Sequence, residues 1–140
     1  MMLANYAENN NGLLNVSGAS WDTIEARGPM TAAQPTTEPL PVAIFQGFLV
    51  ARLLLHPSET DKEYDLTVAV TDADGKDVAR LEARTRIDKV ESLPTGWLQG
   101  ANVIVPLTGV PLPRFGHYSI VLQVDHHHLG DVIFRVVKKY

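Results

Sequence analysis

The segment Tyr64-Asp65-Leu66-Thr67-Val68-Ala69-Val70-Thr71 decides the fold class of this chain. Its larger apolar residues occupy every second position. Because side chains on an extended strand point to opposite faces in turn, this period of two predicts a strand with one apolar face. The next four residues, Asp72-Ala73-Asp74-Gly75, favour a tight turn. A partner strand over about residues 77–88 would complete a hairpin.

The same alternation returns at residues 118–124 and 132–136, and more briefly at 103–107. Residues 125–130 would separate the last two strands, and Asn9 to Gly12 would join strands at about 2–8 and 13–20. The count reaches eight or nine strands with no helix. An isolated sheet cannot bury both faces, so two sheets must stack. The chain is therefore predicted to be all-β, an antiparallel β-sandwich or jelly roll of about eight strands, with residues 1–140 in one domain.

The run from Val42 to Leu55 is strongly apolar but does not alternate cleanly. Its valine, isoleucine and phenylalanine content favours a strand over a helix, and Gly47 weakens a helix further. We expect a long central strand bulged at Gly47. Its mixed pattern leaves two interpretations open: burial on both faces, or an interface with another subunit. Residues 28–41 contain four prolines and are predicted to form a crossing loop.

The composition excludes several classes of function. The chain has no cysteine, which excludes disulfides, thiolate metal sites and a cysteine nucleophile. Its net charge of −4 makes nucleic acid an unfavourable partner. No signal-peptide pattern and no apolar stretch of membrane-spanning length occur, so we expect a cytoplasmic protein with no membrane contact. No motif for a cofactor is present, and none is predicted.

Three segments of the chain form a recognisable set: residues 3–24, the Asp-Ala-Asp-Gly turn at 72–75, and the closing segment from Gly116-His117-Tyr118 to Leu129-Gly130. Together they resemble a family of small uncharacterised bacterial proteins with a β-sandwich fold. The resemblance implies a sandwich fold and a bacterial source, and it implies no catalytic activity. The family tends to have Asp-Gly in the final turn, where this chain has Asp125-His126.

A histidine cluster, His126-His127-His128, is a candidate metal site. Strand alternation would put His126 and His128 on one face, where two imidazoles could share an ion. A third ligand would have to come from Asp125, Asp131 or a second copy of the chain. A polar hairpin tip with exposed histidines explains the same residues and is the preferred interpretation.

Two further groups are candidate interaction residues. Arg80, Arg84 and Arg86 would share one face of a strand, either as a basic stripe for an acidic partner or as a solvated face neutralised by neighbouring carboxylates. Aromatic side chains could form a platform for sugar rings or could pack in the core and at its rim. They are Trp21, Trp97, Tyr6 and Tyr140.

No pattern specifies a reaction, so we expect a non-catalytic interaction or structural module. Its partner would be a protein or a second copy of itself, which makes a homo-oligomer or an accessory subunit the first hypothesis. A domain that binds carbohydrate or another small ligand is the second hypothesis. A metal-dependent enzyme using the histidine cluster is the third.

Overall fold

The computed structural model describes residues 1–10, 13–27 and 40–139. Within these ranges eleven strands and one short 3-10 turn, Pro57–Glu59, follow one another along the chain. The strands are β1 (Met2–Asn10), β2 (Leu13–Ala19), β3 (Thr23–Ala26), β4 (Ala43–Ile44), β5 (Phe48–Leu55), β6 (Lys62–Asp72), β7 (Asp77–Ile87), β8 (Gln99–Pro106), β9 (Pro111–Leu112), β10 (Gly116–Val124) and β11 (His127–Lys138). Asn11, Gly12, Tyr140 and most of the expected crossing loop lie outside the described residues.

The strands form two stacked sheets, which confirms the predicted all-β sandwich. One sheet has four strands in the order β2-β1-β5-β8, and the other has five in the order β3-β11-β10-β6-β7. The strands β4 and β9 form a small two-stranded sheet of their own. The described part of the chain thus has more strands than the eight or nine predicted, partly because β4 and β9 span two residues each. One pairing, between β3 and β11, is parallel and departs from the antiparallel prediction.

Apolar side chains from both sheets meet between the layers. The four-stranded sheet contributes Leu3, Leu49 and Ala51, whose exposed fractions do not exceed 2%. The five-stranded sheet contributes alternate residues of β6, β10 and β11, which confirms the period-two reading of these segments. They are Val68, Val70, Tyr118, Ile120, Leu122, Phe134 and Val136.

The segment from Val42 to Leu55 is not the single bulged strand that its sequence predicted. It forms β4 and β5 with a break at residues 45–47. The break lets Phe45 turn fully into the core, where its ring meets Phe134 edge-on at 5.3 Å. Gly47 has a positive φ of 155°, and its amide donates a hydrogen bond to Thr108 Oγ1 at 3.1 Å. Burial of an aromatic ring and a glycine turn therefore override continuous strand pairing here.

The last hairpin is tighter than predicted. Asp125 and His126 alone form the turn, with φ values of 50° and 67°, and Val124 pairs directly with His127. Two successive positive φ values are typical of a type I′ turn, whose twist matches that of the flanking strands. The register then shifts opposite Leu122 and Gln123, so that β11 carries one extra residue. Residues 127–130 belong to β11, and the prediction that they lie in the connection is wrong.

No helix in the described ranges has the length and apolar character needed to cross a membrane.

Candidate interaction surface

The two outer faces of the sandwich differ in chemistry. Strand pairing places ten charged side chains on the outer face of the five-stranded sheet. They are Glu25, Glu63, Asp65, Asp77, Arg80, Glu82, Arg84, Arg86, Asp131 and Arg135. On the outer face of the four-stranded sheet, the described residues include two charged side chains, Glu8 and Arg52. Successive side chains of β1 and β5 point to opposite sides of this sheet. The scarcity of charge therefore extends along the whole solvent side of both strands.

Apolar residues occupy the centre of the weakly charged face of the four-stranded sheet. Without further qualification, "the outer face" below means this face. Ala4 and Val50 are almost fully buried, with exposed fractions of 0% and 2%, although they lie on the solvent side of the sheet. Together with Ala7, which alternation places on the other side of β1, they form a second apolar cluster separate from the main core. On the solvent side, the larger neighbours that pack against this cluster include Met2, Phe48 and Ile104. Apolar groups gathered on the solvent side of a sheet are typical of interaction surfaces.

Aromatic and aliphatic groups continue the outer face along β1 and β5. The rings of Tyr6 and Phe48 meet edge-on at 5.7 Å. Tyr6 is 51% exposed and Leu54 is 66% exposed, so both offer apolar area to a partner. Tyrosine combines large contact area with a hydroxyl group, which suits it to interfaces.

The two charges lie at opposite ends of the outer face. Arg52 donates a hydrogen bond from Nη1 to Asn102 Oδ1 at 3.1 Å, and its guanidinium lies against the backbone of Gly100. Glu8 accepts a hydrogen bond from the hydroxyl of Tyr6 at 3.2 Å. The negative charge of Glu8, together with this bond, raises the pKa of Tyr6. Among the described residues, neither Arg52 nor Glu8 has an oppositely charged partner within salt-bridge distance.

The strand β8 forms one edge of the same sheet and carries no charged residue over its eight positions, Gln99–Pro106. It pairs with β5 and with no other strand in the ranges that the structure describes. Edge strands usually carry charges that discourage pairing with another chain. Between β8 and β7, a cleft of about 410 Å³ separates the two sheets, lined by apolar residues including Leu66, Leu81, Ile87 and Val103.

The predicted arginine stripe is present, and each arginine has a carboxylate partner. Arg80, Arg84 and Arg86 alternate on the outer side of β7. Arg84 Nε lies 3.0 Å from Asp65 Oδ1 on the neighbouring strand, and Arg86 Nε lies 2.7 Å from Asp88 Oδ1. Arg80 lies 3.4 Å from Glu82 and 3.7 Å from Asp77. This geometry favours a locally neutralised face over a basic site, and a role of the stripe in binding stays a prediction.

Strand alternation does not relate the two histidines, because one of them lies outside the strands. His126 lies in the turn, whereas His128 lies on β11 with Nε2 3.8 Å from Asp131 Oδ2. Among the described residues, no group of three histidine, aspartate or glutamate side chains could hold a metal ion. The positions of His126 and His128 therefore favour the hairpin-tip interpretation, and the metal site stays a prediction.

Three of the four aromatic candidates lie in the described part of the chain, and no ring contact joins any two of them. Trp21 packs against Phe45 at 5.4 Å, and its Nε1 is buried without a hydrogen-bond partner among the described residues. Trp97 is 63% exposed in the connection between β7 and β8. Tyr6 contacts Phe48 on the outer face. These three side chains have different surroundings, and the sugar platform and carbohydrate binding stay predictions.

Glu8 and Arg52 were missed at the sequence level, because each looks like an ordinary surface charge on its own strand. The signal that could have found them was the apolar character of both alternating sets in β5. That pattern implies a second apolar face, on which any remaining charge has unusual surroundings.

A family model described as a family of unknown function covers residues 1–137. No curated protein and no solved structure matched the chain.

Proposed function

The chain belongs to the family of unknown function DUF6941, and from that starting point we propose that it is a non-catalytic interaction module that self-associates through the outer face of its four-stranded sheet. The observation that carries this proposal is the contrast between the two outer faces. One face bears two charged side chains among its described residues, and the other bears ten.

The second copy of the chain is the partner that the outer face fits best. An acidic or basic partner protein would be expected to meet a surface of opposite net charge, whereas Glu8 and Arg52 leave this face neutral. Two neutral apolar faces can meet without like-charge repulsion, and a twofold interface uses the same patch on both copies. Self-association therefore requires no feature beyond those already on the surface.

The size of the face predicts a weak dimer. Strands about 4.8 Å apart that rise about 3.3 Å per residue give it a footprint of about 500 Å² per copy. Two copies would cover about 1,000 Å² in total, which is near the lower limit of specific interfaces. We therefore expect dissociation constants in the micromolar range.

The cysteine-free composition supports a cytoplasmic location, because small secreted domains more often carry disulfides. Cytoplasmic location and bacterial source are part of this proposal.

Sedimentation velocity between about 1 and 200 µM tests self-association, because a micromolar dimer changes population across that range. We expect a shift from monomer to dimer that Phe48→Glu abolishes. Ile133→Glu is the matched control, because Ile133 is a 62% exposed apolar residue on the outer face of the other sheet. It should leave the shift unchanged. If Phe48→Glu unfolds, Tyr6→Glu serves instead, since Tyr6 is half exposed. A wild-type chain that stays monomeric throughout would refute the proposal.

A further inference from the structure

The charges of the outer face assign a direction to the dimer. Strand β1 runs antiparallel to β5, with Met2 opposite Val50 and Ala4 opposite Phe48. Arg52 lies two residues beyond Val50 at one end, and Glu8 lies four residues beyond Ala4 at the other. We call the row that joins them, Glu8, Tyr6, Ala4 with Phe48, Met2 with Val50, and Arg52, the outer-face strip.

The strip is symmetric about its apolar centre. Arg52 is four residues from Phe48, and Glu8 is four residues from Ala4, which is paired with Phe48. At about 3.3 Å per residue, the two charges lie about 26 Å apart with the Ala4–Phe48 pair midway between them. When the strip of a second copy is laid over the first in the opposite direction, the cation of each copy therefore faces the anion of the other.

We infer that two copies pack face to face about a twofold axis near Phe48, with their outer-face strips antiparallel, so that Arg52 of each copy meets Glu8 of the other. An axis that lies in the interface and crosses the strip reverses its direction. A twofold axis along the strip would instead place Arg52 of one chain opposite Arg52 of the other, and Glu8 opposite Glu8. Unlike charges attract and like charges repel at an interface, so the antiparallel arrangement is favoured. This inference rests on the self-association proposed above and specifies its geometry.

The local contacts of both charges support this pairing. The hydrogen bond from Tyr6 orients the carboxylate of Glu8, and the bond to Asn102 with the close approach to Gly100 orients the guanidinium of Arg52. Gly100 on β8, which pairs with Leu54 on β5, leaves room for the guanidinium of Arg52. A Cβ added at Gly100 would lie 2.2 Å from Nη2 of Arg52. Both groups are thus held on the surface without a charged partner in the described part of their own chain.

Charge exchange tests the direction. Glu8→Arg and Arg52→Glu should each weaken the dimer about tenfold or more, because each creates two like-charge contacts in the antiparallel arrangement. The double variant Glu8→Arg/Arg52→Glu should recover wild-type affinity to within about threefold. Glu82→Arg on the outer face of the five-stranded sheet changes the net charge from −4 to −2, as Glu8→Arg does, and should leave the affinity unchanged. Sedimentation velocity at constant salt measures each dissociation constant.

The outcomes separate the two proposals. If Phe48→Glu disrupts the dimer but the single charge reversals do not, or the double variant is not rescued, the antiparallel geometry is wrong and self-association through the outer face stands. If the wild-type chain is monomeric, both are wrong. Circular dichroism of every variant at equal concentration verifies the fold, so that loss of the dimer cannot arise from unfolding.

Discussion

The hydroxyl of Tyr118 donates a hydrogen bond to the carbonyl oxygen of Arg114 at 2.6 Å and accepts one from the amide of the same residue at 3.0 Å. Its ring stacks on Phe134 at 5.3 Å with an interplanar angle of 12°. A tyrosine that bonds back to the backbone a few residues upstream is the tyrosine corner of many β-sandwiches. Burial of the ring raises the pKa of Tyr118, so that the hydroxyl stays protonated and able to donate.

Replacement of Tyr118 by phenylalanine should lower the free energy of unfolding by about 1–3 kcal/mol, because two part-buried backbone groups of Arg114 lose their partner. Tyr64→Phe is the matched control. Its hydroxyl donates to the exposed backbone carbonyl of Glu59, where water can take its place. The control should change stability by about 0.5 kcal/mol or less. Urea denaturation measures both, and equal costs would show that the corner contributes nothing particular.

Replacement of His126 by glycine should stabilise the chain by about 1 kcal/mol, because His126 holds a left-handed conformation that disfavours residues with a Cβ. His127→Gly removes a neighbouring exposed imidazole from an ordinary strand position and should destabilise by about 0.5–1 kcal/mol. Thermal denaturation of the two variants should therefore give shifts of opposite sign. A lower melting temperature for His126→Gly would contradict the turn geometry.

Replacement of Gly47 by alanine should destabilise the chain by about 1–3 kcal/mol, since the surrounding structure is tightly packed. A Cβ at this position would lie 2.5 Å from the backbone oxygen of Ala4, which cannot move without disturbing β1. Gly75 also has a positive φ, of 81°, but open space surrounds it. Gly75→Ala should therefore cost about 1 kcal/mol from backbone strain alone. Chemical denaturation distinguishes the two, and the clash is refuted if Gly47→Ala costs no more than Gly75→Ala.

The stability contributed by Asp72 should depend on pH. The amide of Lys76 lowers the pKa of this carboxyl most, and the Arg114 guanidinium and the amide of Asp74 lower it further. A group with a folded pKa below its unfolded value of about 3.9 contributes stability above that value and loses it as pH falls through the folded pKa. The difference in the free energy of unfolding between wild type and Asp72→Asn should therefore decrease as the pH is lowered from about 6 to about 3. A difference that stays constant across this range would argue against a charged Asp72 as its source.

Local patterns in the sequence predicted the strands and turns that depend on the residues within them and next to them. The alternation at 64–71 and 118–124 and the Asp-Gly turn after β6 correspond to β6, β10 and the β6–β7 hairpin. The parallel pairing of β3 with β11 had no local signal, because it joins residues more than a hundred positions apart. The break at 45–47 depends on the core pocket that Phe45 fills, and no periodicity reveals that pocket.

The apolar character of the candidate surface had a signal in the sequence, whereas the placement of its two charges had none. The apolar excess of residues 42–55 left open either burial on both faces or an interface, and β5 does have apolar residues on both sides. Which charges accompany them depends on how β1 registers against β5, since that pairing places Glu8 and Arg52 on one face. Register between strands far apart in sequence is set by the assembled sheets, so a single sequence did not reveal this relationship.

The pairing of β3 with β11 has a consequence for how a nascent chain matures. Residues 23–26 leave the ribosome early, but their hydrogen-bonding neighbours at 135–138 are made more than a hundred residues later. Because translation proceeds at about 5–20 residues per second, β3 lacks this hydrogen-bonding partner for several seconds after its own synthesis. The five-stranded sheet can therefore close only after translation of β11, and a chain that stalls before then keeps an open sheet edge on β10.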